Sequence, residues 1–278
     1  MKRVIKDFAK DKKGLLGFGI LLSIVFLAVF ANLVAPYNPY KMDYLERLKP
    51  PTLSHPFGTD WFGRDVLSRV IYGSRVALGI GATATIVSTL FGGLLGLLAG
   101  YFKGIVDSII MRLFEILNSI PYFILILLIV GLFGSNVVLL ILLLGLFGIR
   151  IARIARSEAL AIREEDYILA AKAIAASHWR IIFRHVLPNS FAAITVVSTM
   201  QIGMNIILVA GLSFLGAGVP PPTPSWGATL SGAQEFMKIA WWTAVFPGLA
   251  IFFTVMAFNL LGDSLRDVLD PRMVHRIK

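Results

Sequence analysis

The sequence predicts an all-α integral membrane protein with six transmembrane helices and both termini on the cytoplasmic side. Three observations predict it. Only 15% of the 278 residues are charged while 57% are hydrophobic, against about 25% charged in an ordinary soluble domain. The apolar residues come in runs close to the roughly 20 needed to span a hydrocarbon core. Lys and Arg gather in alternate connecting segments, as they do on the cytoplasmic side of membrane proteins. Only helices and closed barrels span lipid. A barrel would show short segments of alternating hydrophobicity, and none occur.

The first run, residues 15–35, follows MKRVIKDFAKDKKG. A basic start before an apolar run also describes a signal peptide. This run exceeds the roughly 7–15 residues of a signal h-region, so it reads as a retained first span. The other spans are read at 76–101, 116–133, 137–154, 191–214 and 245–261. Orientation follows from charge. Cytoplasmic segments carry Lys2, Arg3, Lys6, Lys10, Lys12, Lys13, Lys103, Arg112, Arg153, Arg156, Arg163, Lys172, Arg180, Arg184, Arg266, Arg272, Arg276 and Lys278. The outer side carries Lys41, Arg47, Lys49, Arg64, Arg69, Arg75 and Lys238, largely offset by Asp43, Glu46, Asp60, Asp65 and Glu235. This asymmetry accounts for the net charge of +10 without nucleic acid as a partner.

Two outer segments are long, 36–75 and 215–243. The second contains GVPPPTPSWG, whose prolines cannot continue a helix. Trp226, Trp241 and Trp242 fit an interfacial aromatic belt. In the second span Gly92, Gly96 and Gly100, with Gly93 beside them, invite close approach of another helix; we read internal packing ahead of a subunit interface. The chain divides into 1–75, comprising the tail, first span and outer segment, and 76–278, a five-helix core with a cytoplasmic loop at about 157–189.

The chemistry inventory is sparse. There is no cysteine. His55, His178, His185 and His275 fall outside the spans and show no metal-ligand spacing. No phosphate-binding G-x-x-x-x-G-K-[ST] loop occurs. Ser119 and Ser213 lack a placed base. The spans hold essentially no ionisable groups of the kind proton-driven transporters use; Glu115 and Arg150 lie near span ends and Asp263 just beyond the last. No catalytic residue, metal site or cofactor is expected in this chain, and any energy for active transport comes from a partner.

The cytoplasmic loop is the informative segment: SEALAIREEDYILAAKAIAASHWRIIFRHVLPN. Glu164, Glu165 and Asp166 stand where a helix N-terminus favours anions. Ala170, Ala171, Ala173, Ala175 and Ala176 make a slim helix flanked by Tyr167, Ile168 and Ile174, suited to a groove on another protein. Residues 179–186 are basic and amphipathic, and Pro188 marks a break before the fifth span. An interfacial loop with no partner is the competing reading.

This loop resembles that of permease subunits of ATP-binding-cassette importers, whose pattern is Glu-Ala-Ala, three residues, Gly, nine residues, then Ile-x-Leu-Pro. Ala170, Ala171, Leu187 and Pro188 match. Leu169, Ala175 and His185 stand where the Glu, Gly and Ile would be. A left-handed alanine would cost on the order of 1 kcal/mol, so either the turn keeps negative φ or the protein tolerates strain. SHPFGTDWFGRDVLSRVIYGSRVALGIG, SFLGAGVPPPTPSWGATL and WWTAVFPGLAIFFTVMAFNLLGDSLRDVLDPR resemble the dipeptide, oligopeptide and nickel branch, and its shorter, C-type subunit.

The resemblance implies a type I importer permease fold in a bacterial or archaeal cytoplasmic membrane. It implies a homologous second permease, two ATPases that use ATP and Mg, and an extracytoplasmic binding protein. The implied cargo is a peptide, with nickel, another chelate or an oligosaccharide as the alternative. Tyr167, Ile168, Leu169, Ala170, Ala171, Lys172, Ile174, Ala175, Ser177, Leu187 and Pro188 become the ATPase-coupling loop, with Lys172 facing an acid on the ATPase. Trp179, Arg180, Arg184 and His185 secure the second short helix against headgroups or the permease body. Asp60, Arg64 and Asp65 are candidates for the outer entrance, or a purely structural cluster. Ser119, Pro121, Met200 and Asn205 are pathway candidates. A self-sufficient secondary transporter or channel would need intramembrane charge or a selectivity element. A membrane enzyme would need a catalytic constellation.

Overall fold

A computed structural model describes residues 8–146 and 148–269. Lys2, Arg3, Lys6, Arg272, His275, Arg276 and Lys278 lie outside the described residues. The helices run α1 (Lys12–Val29), α2 (Ala31–Val34), α3 (Val66–Phe102), α4 (Gly104–Ser119), α5 (Tyr122–Phe133), α6 (Val137–Leu146), α7 (Ile149–Ile162), α8 (Asp166–Ala173), α9 (His178–Ile181), α10 (Leu187–Phe214), α11 (Trp226–Ala233) and α12 (Trp242–Leu269). Among the described residues the only β pairing is one isolated bridge, Thr59 to Asp65. Five stretches are each long and apolar enough to cross a membrane: α1, α3, Val137–Ile162, His178–Phe214 and α12. The bent pair α4–α5 makes a sixth when taken as one span.

The second span starts earlier than its hydropathy suggests. Asp65 caps α3 by accepting from the Ser68 N–H at 2.7 Å, so Arg69 and Arg75 are helical rather than part of a loop. Arg75 donates to the carbonyls of Ala28 and Val29 and to Asn32 Oδ1. It thereby satisfies acceptors that the end of α1 leaves without intrahelical partners.

The third run is not one helix. Ile120 is extended and Pro121 precedes α5, because proline lacks an N–H and disfavours helical geometry in the residue before it. The chain turns by 76° there. The fourth run goes beyond the expected 154 to Ile162.

The glycines of α3 serve internal packing. A Cβ on Gly92 would lie 2.9 Å from the Gly148 carbonyl, and on Gly96 and Gly100 it would overlap the Ala152 and Arg156 carbonyls. Helices α3 and α7 therefore meet backbone to backbone. The outer tryptophans depart from the belt expectation. Trp226 and Trp242 are buried. Their Nε1 atoms donate to Val70 O at 2.8 Å and Thr59 O at 3.1 Å, so they fasten the second outer segment to the first and to α3. Trp241 is exposed.

Candidate functional site

The site is built where α7 and α10 leave the hydrocarbon. Arg163, just past α7, donates Nη1 to the Tyr101 carbonyl at 2.6 Å, and Lys103 meets Glu164 at 2.7 Å. The C-terminal ends of α3 and α7 are thus tied together. The Lys103 hydrogen bond holds the exposed Glu164 carboxyl below its ordinary value. The chain then reverses through Glu165 into α8.

Helix α8 has two faces. Ile168 is fully buried, in a cluster with Leu97, Tyr101, Ile162, Ile181, Ile182 and Val186. Ala171 and Leu187 pack against that cluster. Lys172 bends inward, its Nζ 3.3 Å from the Arg163 carbonyl and over the Tyr101 ring. The opposite face is open: Leu169 is 47% exposed, Ile174 is 81% exposed, and Tyr167 and Ala170 lie beside them. Two expectations are corrected here. Ile168 does not face a partner, because it is the apolar residue that anchors α8 to its own chain. Lys172 does not reach out to an acid, because its ammonium caps a carbonyl of the preceding turn.

Ala175 sits at φ +56, so the strained alternative holds. The reason is the way α8 ends. Ala175 N–H donates to the Lys172 carbonyl at 2.9 Å and Ala176 N–H to the Ala171 carbonyl at 3.1 Å. These are the paired bonds of a Schellman end, which needs a left-handed residue at this position. Ser177 then caps α9 through the Arg180 N–H.

Pro188 does not break the chain as its residue type suggests. Helix continues from His178 to Phe214, through a wide five-residue π turn at Ile182–Val186 where Leu187 N–H bonds Ile182 O. Pro188 falls in the first turn of α10, where its missing N–H is tolerated. Asn189 reaches back, donating Nδ2 to His185 O at 2.8 Å and to the Tyr167 hydroxyl at 3.3 Å. The two halves of the loop are thereby joined, with Tyr167, Ala171, Lys172, Leu187 and Asn189 held on one rigid base.

The remaining candidates are scattered. Asp60 and Asp65 are buried. Asp60 accepts from Arg64 Nε at 2.7 Å and from the N–H groups of Phe62 and Arg64. Asp65 caps α3 and meets His55 Nδ1 at 2.9 Å. This geometry favours the structural reading of the cluster. Asn205 is buried between α3 and α10, bonded to Thr85 Oγ1 at 3.0 Å and Gln201 Nε2 at 3.1 Å. Met200 packs against Gly262 of α12. Ser119 and Pro121 lie exposed at the α4–α5 bend.

Sequence reading missed several contacts made between distant segments. Asp107 takes Arg156 in a bidentate pair at 2.5 and 2.6 Å, and the Tyr101 hydroxyl meets His178 Nδ1 at 3.0 Å. Both bring together residues at least 49 positions apart, so no local spacing signals them.

Comparison with known proteins identifies the family of the chain. Residues 92–275 match the family model "binding-protein-dependent transport system inner membrane component". Residues 1–51 match the "N-terminal TM domain of oligopeptide transport permease C". The dipeptide transport system permease protein DppC of Alkalihalophilus pseudofirmus is 39% identical, covering 98% of this chain and 90% of that protein. The glutathione transport system permease protein GsiD of Pectobacterium atrosepticum is 42% identical over 91% of this chain and 85% of its own length. GsiD of Escherichia coli is 45% identical over 92% and 84%. The chain therefore belongs to the inner membrane components of binding-protein-dependent transport systems, the multi-pass permease subunits of ATP-binding-cassette importers, in its oligopeptide permease C branch.

Proposed function

We propose that this chain forms half of the transmembrane pathway of an ATP-driven peptide importer. The open apolar face of α8 is the surface on which a separate ATPase pushes. The observation that carries the reading is the division of α8 into a buried and an open face. Leu169 and Ile174 stand clear of the protein, while Ile168 on the other face is locked into the base of α3, α7 and α10. A contact made on the open face moves that base as a unit. ATP binding then biases the spans between two arrangements to the extent that the ATPase contacts α8 differently in each.

The partners in this reading are a second, homologous permease, two ATPases holding ATP and Mg, and an extracytoplasmic binding protein. Peptide is the proposed cargo because the relatives named above carry dipeptide and glutathione in their names. The test is purification of the tagged chain with its native partners, followed by reconstitution and uptake of labelled dipeptide driven by ATP. Co-purified ATPases with peptide uptake are expected. Uptake of a nickel chelate without peptide would overturn the cargo. A stable assembly with no ATPase, under gentle extraction, would overturn the reading as a whole.

A further inference from the structure

The segment that follows α8 carries a second exposed surface that ATPase coupling does not explain. Trp179 and Phe183 are 57% and 52% exposed, and their rings stack 5.9 Å apart. Arg180 and Arg184 beside them are exposed, and neither forms an ion pair among the described residues. Stacked aromatics open to water are unfavourable, and two free guanidinium groups next to them attract anions.

Depth decides what covers this face. Arg75 binds the last carbonyls of α1, which places it near the outer edge of the first span. From Arg75 to Tyr101, α3 rises about 39 Å. From the outer edge of the hydrocarbon core to the far side of the cytoplasmic headgroups is about 35–38 Å, a core of roughly 30 Å plus one headgroup layer, and a helix tilted by about 20° descends about 37 Å over that length. The Tyr101 hydroxyl therefore sits at the level of the cytoplasmic headgroups. It bonds His178, the residue before Trp179. The exposed face also continues into the membrane: Phe191, two turns beyond Phe183, is 64% exposed on α10.

We infer that Trp179, Phe183, Arg180 and Arg184 form a binding site for anionic phospholipid. The rings lie at the acyl boundary and the guanidinium groups take the headgroup phosphate. This is the composition of an interfacial anchor, and it holds the base of the coupling loop at a fixed depth.

The full-length chain with its co-purifying subunits is placed in nanodiscs of phosphatidylcholine and titrated with acyl-brominated phosphatidylglycerol. Subtracting the signal of Trp179→Phe isolates Trp179 from the four other tryptophans. The expected result is strong quenching of Trp179 with preference for phosphatidylglycerol over brominated phosphatidylcholine. Joint Arg180→Gln and Arg184→Gln should weaken that preference, by about fivefold for each arginine. Emission of Trp179 insensitive to brominated lipid overturns the inference. So does Trp179 emission that is blind to brominated lipid in the assembly and becomes sensitive to it only once the ATPase is stripped away, which would make this face a protein contact. An unchanged preference in the double variant overturns the phosphate contact. None of these readouts needs substrate or transport, so they succeed or fail independently of the peptide assignment.

Discussion

Replacing Ala175 by glycine should tighten the turn that ends α8. Ala175 is left-handed at φ +56, which costs an L-residue about 1–2 kcal/mol. Its methyl is exposed, so removing it forfeits no packing. Glycine returns about 0.5–1 kcal/mol through its greater freedom when the loop opens. The net gain is about 1 kcal/mol, or roughly fivefold in the opening equilibrium. The amides that report it are those of Ala175 and Ala176, which donate to Lys172 O and Ala171 O. Hydrogen exchange of the peptide spanning α8, with the full assembly in nanodiscs, should slow about fivefold at these amides in Ala175→Gly. It should accelerate in Ala175→Val, where a β-branched side chain meets the same backbone. Unchanged or faster exchange in the glycine variant would refute the assignment of strain to this residue.

Other expectations follow from the same geometry. Gly96→Leu should lower the thermal stability of the detergent-solubilised chain by 3 kcal/mol or so, since even a Cβ there overlaps the Ala152 carbonyl and overpacking at tight contacts costs about 1–3 kcal/mol. Trp242→Phe should lose the bond to Thr59 O, costing about 1 kcal/mol, and leave a small cavity where the buried indole is replaced by a phenyl ring; limited proteolysis of the first outer segment will report it. Glu164, held below its ordinary value by Lys103, binds its proton less readily when the loop is formed. Its contribution is complete above roughly pH 5 and fades as the pH falls through the depressed value. Exchange in the α8 peptide should therefore lose part of its acid sensitivity in Glu164→Gln.

Hydropathy and charge placement made the spans and their order legible in the sequence, because lipid leaves helices little alternative. What they left open was where a helix ends when side chains rather than lipid decide. Asp65 starts α3 inside a polar stretch, Pro121 bends an apolar one, and the π turn carries the chain past Pro188 without a break. The loop was legible as a pattern of small and apolar residues, but not its facing. Leu169 and Ile168 are adjacent and equally apolar. Only the packing of α3, α7 and α10 turns Ile168 inward and leaves Leu169 out. Lys172 shows the same limit, since a carbonyl nine residues earlier decides where its charge goes. The tryptophans of the outer segments show a related limit. Their composition suits a membrane interface, yet two of them are consumed by backbone carbonyls of distant segments.

The central claim is that the open face of α8 meets the ATPase. The chain has no native cysteine, so single cysteines at Ile174, Leu169 and Ile168 can be paired with cysteines around the groove of the co-purifying ATPase and oxidised in the assembled complex. Ile174→Cys and Leu169→Cys should cross-link efficiently, and Ile168→Cys, whose parent side chain is fully buried, should not. An intact complex in which neither exposed position cross-links, or in which only position 168 does, would contradict the account.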